Sequence, residues 1–153
     1  MTYSTFSYPV AAIILLSSIL SLTGCTESGV EPDEHEEPVG IVISVDGTEL
    51  LRQIGDTARS LGSLHIDSTS ALFEVSFLDD HGTTFTPESD EGFSLSVHIA
   101  DTTITRLAEP VTPGSWSFRL TGQSVGVTSL QVSLDHGGHA DFVSGDISIE
   151  VTE

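Results

Sequence analysis

The chain has 153 residues, of which 23 are acidic and four basic, so its formal net charge at pH 7 is −19. Such a surface repels phosphate backbones and anionic lipid head groups, which excludes nucleic acid as an expected partner. It attracts cations and cationic partners instead. Genome composition or adaptation to high salt also explains the charge, so the charge alone assigns no function.

The N-terminal region carries the features of a secretion signal. Residues 10–22 are apolar or small and uncharged. A helix of ~13 residues covers about 20 Å, less than the ~30 Å hydrocarbon core of a bilayer. This length is typical of the apolar region of a signal peptide and too short for a stable membrane span.

The sequence Leu22-Thr23-Gly24-Cys25 follows this apolar stretch and resembles the lipobox of bacterial lipoproteins. The resemblance implies that residues 1–24 are removed and that the Cys25 thiol receives diacylglycerol, which anchors the protein to a membrane. Thr26 stands where some inner-membrane lipoproteins have Asp, so the resemblance favours the outer membrane, with the domain facing the periplasm or the exterior. One departure is that neither Lys nor Arg precedes the apolar stretch.

The remaining chain divides into a tether and a domain. Residues 25–40 comprise Cys25 and an acidic, proline-containing segment, which is predicted to stay extended and disordered. Residues 41–153 are long enough for one domain with its own core. Since Cys25 is the only cysteine, the domain has no internal disulfide.

From residue 41 onward, apolar and polar residues alternate with the period of a half-buried β-strand. The clearest runs are 73–77, 93–99, 116–120, 130–134 and 147–151. Turn residues separate them, among them Asp46-Gly47, His81-Gly82, Pro113-Gly114 and Gly145-Asp146. Only residues 48–60 contain a weak helical pattern. The sequence predicts an all-β, antiparallel β-sandwich of about seven or eight strands, with Trp116 buried.

Residues 122–132, with the sequence GQSVGVTSLQV, resemble the late strands of bacterial immunoglobulin-like domains. The resemblance covers the last third of the chain and implies an immunoglobulin-like β-sandwich. No cysteine pair surrounds Trp116, which excludes the disulfide-bonded antibody type.

The densest cluster of potential ligands lies between two predicted strands. Two imidazoles and two carboxylates occur within Asp135-His136-Gly137-Gly138-His139-Ala140-Asp141. This spacing can direct both histidines at one ion, such as zinc or another divalent metal. Further candidate ligands are His81 and His98. The alternative is an ordinary hairpin in which the two glycines supply positive φ angles.

The sequence contains three weaker motifs. Oxygen donors for calcium are present at Asp79-Asp80 and at residues 88–91, without the spacing of a known calcium loop. His35 lies in the acidic tether. Residues 122–126 match Gly-X-Ser-X-Gly, but the Val- and Thr-rich sequence after Ser124 predicts a strand where a hydrolase nucleophile needs a helix.

Two functional hypotheses follow. The first is a non-catalytic, lipid-anchored module outside the cytoplasm that binds an envelope protein or has a structural role. The alternative is a metal-binding envelope lipoprotein that uses the His-Gly-Gly-His loop. No enzymatic activity is predicted.

Overall fold

The segments in which apolar and polar residues alternate form paired strands, so the fold is all-β, as the sequence predicted. The computed structural model describes residues 37–88 and 91–153. The strands in these residues are β1 (Gly40–Val45), β2 (Thr48–Ile54), β3 (Arg59–His65), β4 (Phe73–Leu78), β5 (Thr84–Phe85), β6 (Phe93–Ile99), β7 (Thr105–Leu107), β8 (Ser117–Phe118), β9 (Leu120–Gly122), β10 (Gly126–His136), β11 (His139–Val143) and β12 (Ile147–Thr152). Cys25, His35 and the predicted signal peptide lie outside the described residues.

The strands form two five-stranded sheets and one small ribbon. The first sheet has the order β2-β1-β4-β5, with β8 also paired to β4. The second has the order β11-β10-β12-β3, with β6 also paired to β10, and β7 pairs with β9. β3 runs parallel to β12, so the prediction of a wholly antiparallel sandwich was wrong for this pair. The predicted seven or eight strands were too few because several strands have only two or three residues.

Residues 48–60, which carried the weak helical pattern, form β2 and the beginning of β3. Asp46 and Gly47 adopt φ angles of 48° and 73° and turn the chain back, so β2 pairs with β1 in a hairpin. Leu51 and Gln53 then face the interior, while their neighbours along β2 are exposed. Pairing with β1 therefore overrides a local pattern that was too short to stabilise a helix.

In the part of the chain that the structure describes, an apolar core takes side chains from both large sheets. Phe77 of β4 is fully buried, and its ring contacts those of Phe85, Trp116 and Phe142 at centroid distances of 6.2, 5.8 and 6.0 Å. Trp116 is only partly buried and packs against the core from its rim, so the prediction that it is buried holds in part. The completely buried apolar residues come from both sheets and include Ile41, Ile43, Leu78, Val132, Ile147 and Val151.

The predicted runs 73–77, 93–99, 130–134 and 147–151 all lie within strands, which confirms their alternation. The run 116–120 does not form one strand. It divides at Arg119 into β8, which joins the first sheet, and β9, which joins the ribbon. Within residues 37–88 and 91–153, no helix has the length and apolarity needed to cross a membrane.

Candidate functional site

The candidate ligands identified from the sequence lie at the end of the β10–β11 hairpin. Gly137 and Gly138 join the two strands with φ angles of 59° and 91°. Two consecutive positive φ angles are characteristic of the type I′ turn, whose twist matches that of the flanking strands. The predicted glycine turn is therefore confirmed. It places His136 and His139 directly opposite each other across the ladder.

A β-bulge then brings a carboxylate to these two imidazoles. Leu134 pairs with Phe142 and Asp135 pairs with Ala140, so Asp141 is an extra residue without a cross-strand partner. A bulge changes the direction of the side chain that it inserts. Here the two Asp141 oxygens lie 2.8 Å from Nε2 of His139 and 3.5 Å from Nδ1 of His136.

The two imidazoles differ in how firmly they are held. His136 stacks on Phe93, its cross-strand partner in β6, with ring centroids 4.3 Å apart and an angle of 29° between the planes. Its side chain is 32% exposed, and that of Asp141 is 28% exposed. The His139 side chain is 70% exposed, and its ring centroid lies 6.1 Å from that of His136.

Asp135 and His98 lie away from His136, His139 and Asp141. Asp135 pairs with Ser94 and accepts a hydrogen bond from the Ser96 hydroxyl group. Because adjacent residues of a strand face opposite sides, Asp135 and His136 belong to different faces of the sheet. His98 pairs with Gln131, and at ~3.3 Å per residue this pair lies about 16 Å along β10 from His136.

The turn between β4 and β5 holds His81 in a second cluster. Ligand atoms of Asp79, Asp80 and His81 all lie within 4.8 Å of one another. One Asp79 oxygen accepts the backbone N–H groups of His81 and Thr83 at 2.9 and 2.7 Å. These hydrogen bonds, that of Thr83 first, hold the pKa of Asp79 below its ordinary value of 3.8. The side chains of Asp80 and His81 contact each other and are 75% and 80% exposed.

The other candidate calcium donors, in residues 88–91, belong to the next loop, between β5 and β6. The backbone N–H of Glu91 donates to the carbonyl oxygen of Glu88 at 3.3 Å. Ser89 and Asp90 lie outside the described residues.

The Gly-X-Ser-X-Gly sequence occupies the turn between β9 and β10. The Ser124 hydroxyl group donates to the backbone oxygen of Thr103 at 2.7 Å, and β10 begins two residues later. The strand predicted after Ser124 is thus confirmed. A Cβ atom on Gly122 would lie 2.6 Å from the backbone oxygen of His65, so close backbone packing explains this glycine.

The structure contains an apolar cleft that the sequence did not predict, because the residues that line it come from distant parts of the chain. It has a volume of about 400 Å³. Its walls include Val45, Leu50, Leu61, Leu64, Phe73 and Ile149. No local motif connects these residues, and only the pairing of the strands brings them together.

No protein-family model and no curated protein matches the chain. Among solved structures, the chain is similar to the crystal structure of domains 4 and 5 of the S-layer protein SbsC, with a TM-score of 0.42 and 18% identity over 76% of this chain and 54% of that one. For domains 5–6 of the same protein, the TM-score is 0.40 and the identity 17%, over 75% of this chain and 45% of that one. The chain therefore spans about half the length of these S-layer structures.

A third similar structure is the C-terminal domain of ZirS. Its TM-score is 0.38 and its identity 14%, over 100% of this chain and 88% of that one. These are distant similarities to β-domains, and they assign no function to this chain.

Proposed function

We propose that the chain is a non-catalytic module of the bacterial cell envelope, anchored to a membrane through a lipid on Cys25. The mature domain is an immunoglobulin-like β-sandwich that faces the periplasm or the exterior and binds or packs against another envelope component. The lipobox-like sequence before Cys25 supports the anchor, and Thr26 favours the outer membrane.

The observation that carries the non-catalytic assignment is the chemistry of the interior. Among residues 37–88 and 91–153, the buried polar residues are all uncharged, namely Gln53, Thr105, Thr128 and Ser144. All four form hydrogen bonds with the backbone: Gln53 with Thr57, Thr105 with Thr121, Thr128 with Asp101 and Ser144 with Val132. Acid–base catalysis usually needs a titratable group whose pKa is shifted by burial or by a nearby charge. An uncharged interior of this kind is typical of a structural or binding domain.

The lowered carboxyl pKa values have structural causes. Hydrogen bonds from the Thr103 side chain and backbone lower the pKa of Asp101 in an exposed turn. A hydrogen bond from Arg52 lowers the pKa of Glu49 on the surface of β2. These interactions shape turns and strand surfaces, which supports a role without chemistry.

Metabolic labelling with radioactive palmitate tests the anchor. We expect the label on the full chain and its loss in Cys25→Ser, because the lipid is attached through that thiol. Ser28→Ala is the matched control, since it changes a nearby polar residue and leaves the cysteine intact. Equal labelling of Cys25→Ser and the unchanged chain would refute the lipid anchor.

Fractionation with protease treatment tests the location. We expect the domain in the outer-membrane fraction, and protected from protease until the envelope is opened if it faces the periplasm. Degradation by protease added to intact cells would assign it to the exterior. Recovery from the cytoplasm in processed form would contradict the proposal.

A further inference from the structure

We propose that His136, His139 and Asp141 form a binding site for a divalent transition-metal ion, represented by Zn²⁺, at the tip of the β10–β11 hairpin. The proposal goes beyond the function proposed above. The metal site depends neither on the lipid anchor nor on the location of the domain. Failure of the metal-site proposal would therefore leave the proposed function intact, and the reverse also holds.

The three side chains provide the ligand types that such ions prefer. Zn²⁺ is bound by imidazole nitrogen and carboxylate oxygen, usually with four ligands in tetrahedral geometry. Two neutral imidazoles and one carboxylate give a donor set with a single negative charge. The tip is solvent-accessible, so water or a donor from a partner can complete the coordination. A net charge of −19 raises the concentration of cations near the surface without selecting among them.

The β-bulge is the observation that favours a site over a simple turn. If the ladder continued regularly beyond the Leu134–Phe142 pair, Asp141 would lie opposite Asp135. Two carboxylates would then face each other, and Asp141 would point away from the imidazoles, since neighbours on a strand alternate in direction. The inserted residue avoids this arrangement and brings the carboxylate within hydrogen-bonding distance of His139 and within 3.5 Å of His136.

The two imidazoles have complementary properties for binding an ion. Stacking on Phe93 holds His136 in one orientation, which reduces the entropy that is lost on binding. With ring centroids 6.1 Å apart, both imidazoles point a nitrogen at Asp141 instead of at one shared point. Convergence therefore requires His139 to rotate. Its 70% exposed side chain can change rotamer on the picosecond-to-nanosecond timescale.

The cluster of Asp79, Asp80 and His81 is a poorer candidate, although its ligand atoms are closer together. One oxygen of Asp79 is already engaged by two backbone N–H groups that form the turn. Asp80 and His81 are strongly exposed, so water competes for their ligand atoms. A substitution in this cluster, His81→Ala, therefore serves as the internal control for zinc binding at the hairpin.

The test is titration of the full chain with ZnCl₂ by calorimetry in about 0.5 M NaCl, where diffuse attraction is screened. All proteins carry Cys25→Ser and His35→Ala, which remove the thiol and the imidazole of the tether. Co²⁺ binding, followed by its visible absorption bands, reports whether nitrogen and oxygen ligands surround the metal.

We expect one Zn²⁺ per chain and a reduction in affinity of at least about tenfold in His139→Ala. His136→Phe should cause a similar loss while preserving the aromatic contact with Phe93, so a folding defect does not explain it. Asp141→Asn should weaken binding by at least about tenfold, because the amide lacks the negative charge of the carboxylate ligand.

The control variants are His98→Ala and His81→Ala, which should bind Zn²⁺ like the parent protein. Circular dichroism of every variant checks that the β fold is intact. Binding that is absent, unchanged in the hairpin variants, or lost only in His81→Ala would overturn the proposal. The first two outcomes would mean that the hairpin has no metal-binding role, and the third would place the metal in the β4–β5 loop.

Discussion

Truncation of Phe77 to alanine tests the packing of the apolar core. Phe77 is fully buried, and its ring contacts Phe85, Trp116 and Phe142. Removal of a buried Phe side chain costs about 3–5 kcal/mol in the free energy of unfolding. Phe77→Leu keeps most of the volume but loses two edge-to-face contacts at about 0.5–1.5 kcal/mol each, so we expect a loss of about 1–3 kcal/mol.

Trp116→Ala provides the graded comparison. Trp116 lies at the rim of the core and is only partly buried, so we expect a loss of ~2 kcal/mol, roughly half the value for a fully buried aromatic residue. Val127→Thr is the control, since Val127 is 64% exposed on β10 and the change should cost about 0.5 kcal/mol or less.

The assay is urea unfolding at equilibrium, followed by far-UV circular dichroism and, where Trp116 is present, by its fluorescence. Coinciding transitions from the two probes would support a two-state analysis. The reasoning would be refuted if Phe77→Ala cost no more than Trp116→Ala, or if its effect equalled that of Val127→Thr. Either result would mean that the contact network around Phe77 does not form the centre of the core.

Three further predictions follow from individual contacts. Ser144→Ala should lower the free energy of unfolding by about 1–3 kcal/mol, because the Ser144 hydroxyl group accepts the buried N–H of Val132 at 2.9 Å. The control is Ser148→Ala, since Ser148 is half-buried and its hydrogen bond to the Arg59 backbone is exposed. Equal effects of the two substitutions in urea unfolding would contradict the role of Ser144. Gly122→Ala should lower the free energy of unfolding by about 1–3 kcal/mol, because its Cβ would meet the His65 backbone. Ser124→Ala in the same turn is the control and should lower it less. An unchanged free energy of unfolding in Gly122→Ala would show that the two backbone segments separate easily. NMR titration should give carboxyl pKa values below 3.8 for Asp79 and Asp101. The contribution of these two carboxylates to stability should be present above the pKa of the unfolded chain and disappear as pH falls through the pKa of the folded chain. Values at or above 3.8 would argue against the turn hydrogen bonds.

The hairpin illustrates how far the sequence predicts the candidate site. A tight hairpin turn requires positive φ angles, which glycine adopts without strain, so the glycine pair predicted a turn with His136 and His139 on either side of it. The position of Asp141 was not predictable, because a strict alternation from Phe142 would direct it to the other face. His98 was a further candidate ligand, but its distance from His136 depends on the register between β6 and β10, which a local sequence pattern does not show.

The sequence by itself determined which segments become strands and where many of them turn. Alternation of apolar and polar residues is a local property, and each strand needs only one apolar face and a turn at its end. The runs 73–77 and 93–99 therefore coincide with β4 and β6 almost to the residue.

Only the tertiary structure decided which strands pair. Residues 116–120 alternate without interruption, yet the chain leaves one sheet at Arg119 and enters the small ribbon. The parallel pairing of β3 with β12 joins residues 59–65 to 147–152, and the weak helical pattern in 48–60 gives way to pairing with β1. The physical reason is that ladder hydrogen bonds and burial depend on residues distant in sequence, while a local pattern shows only which face of a segment is apolar.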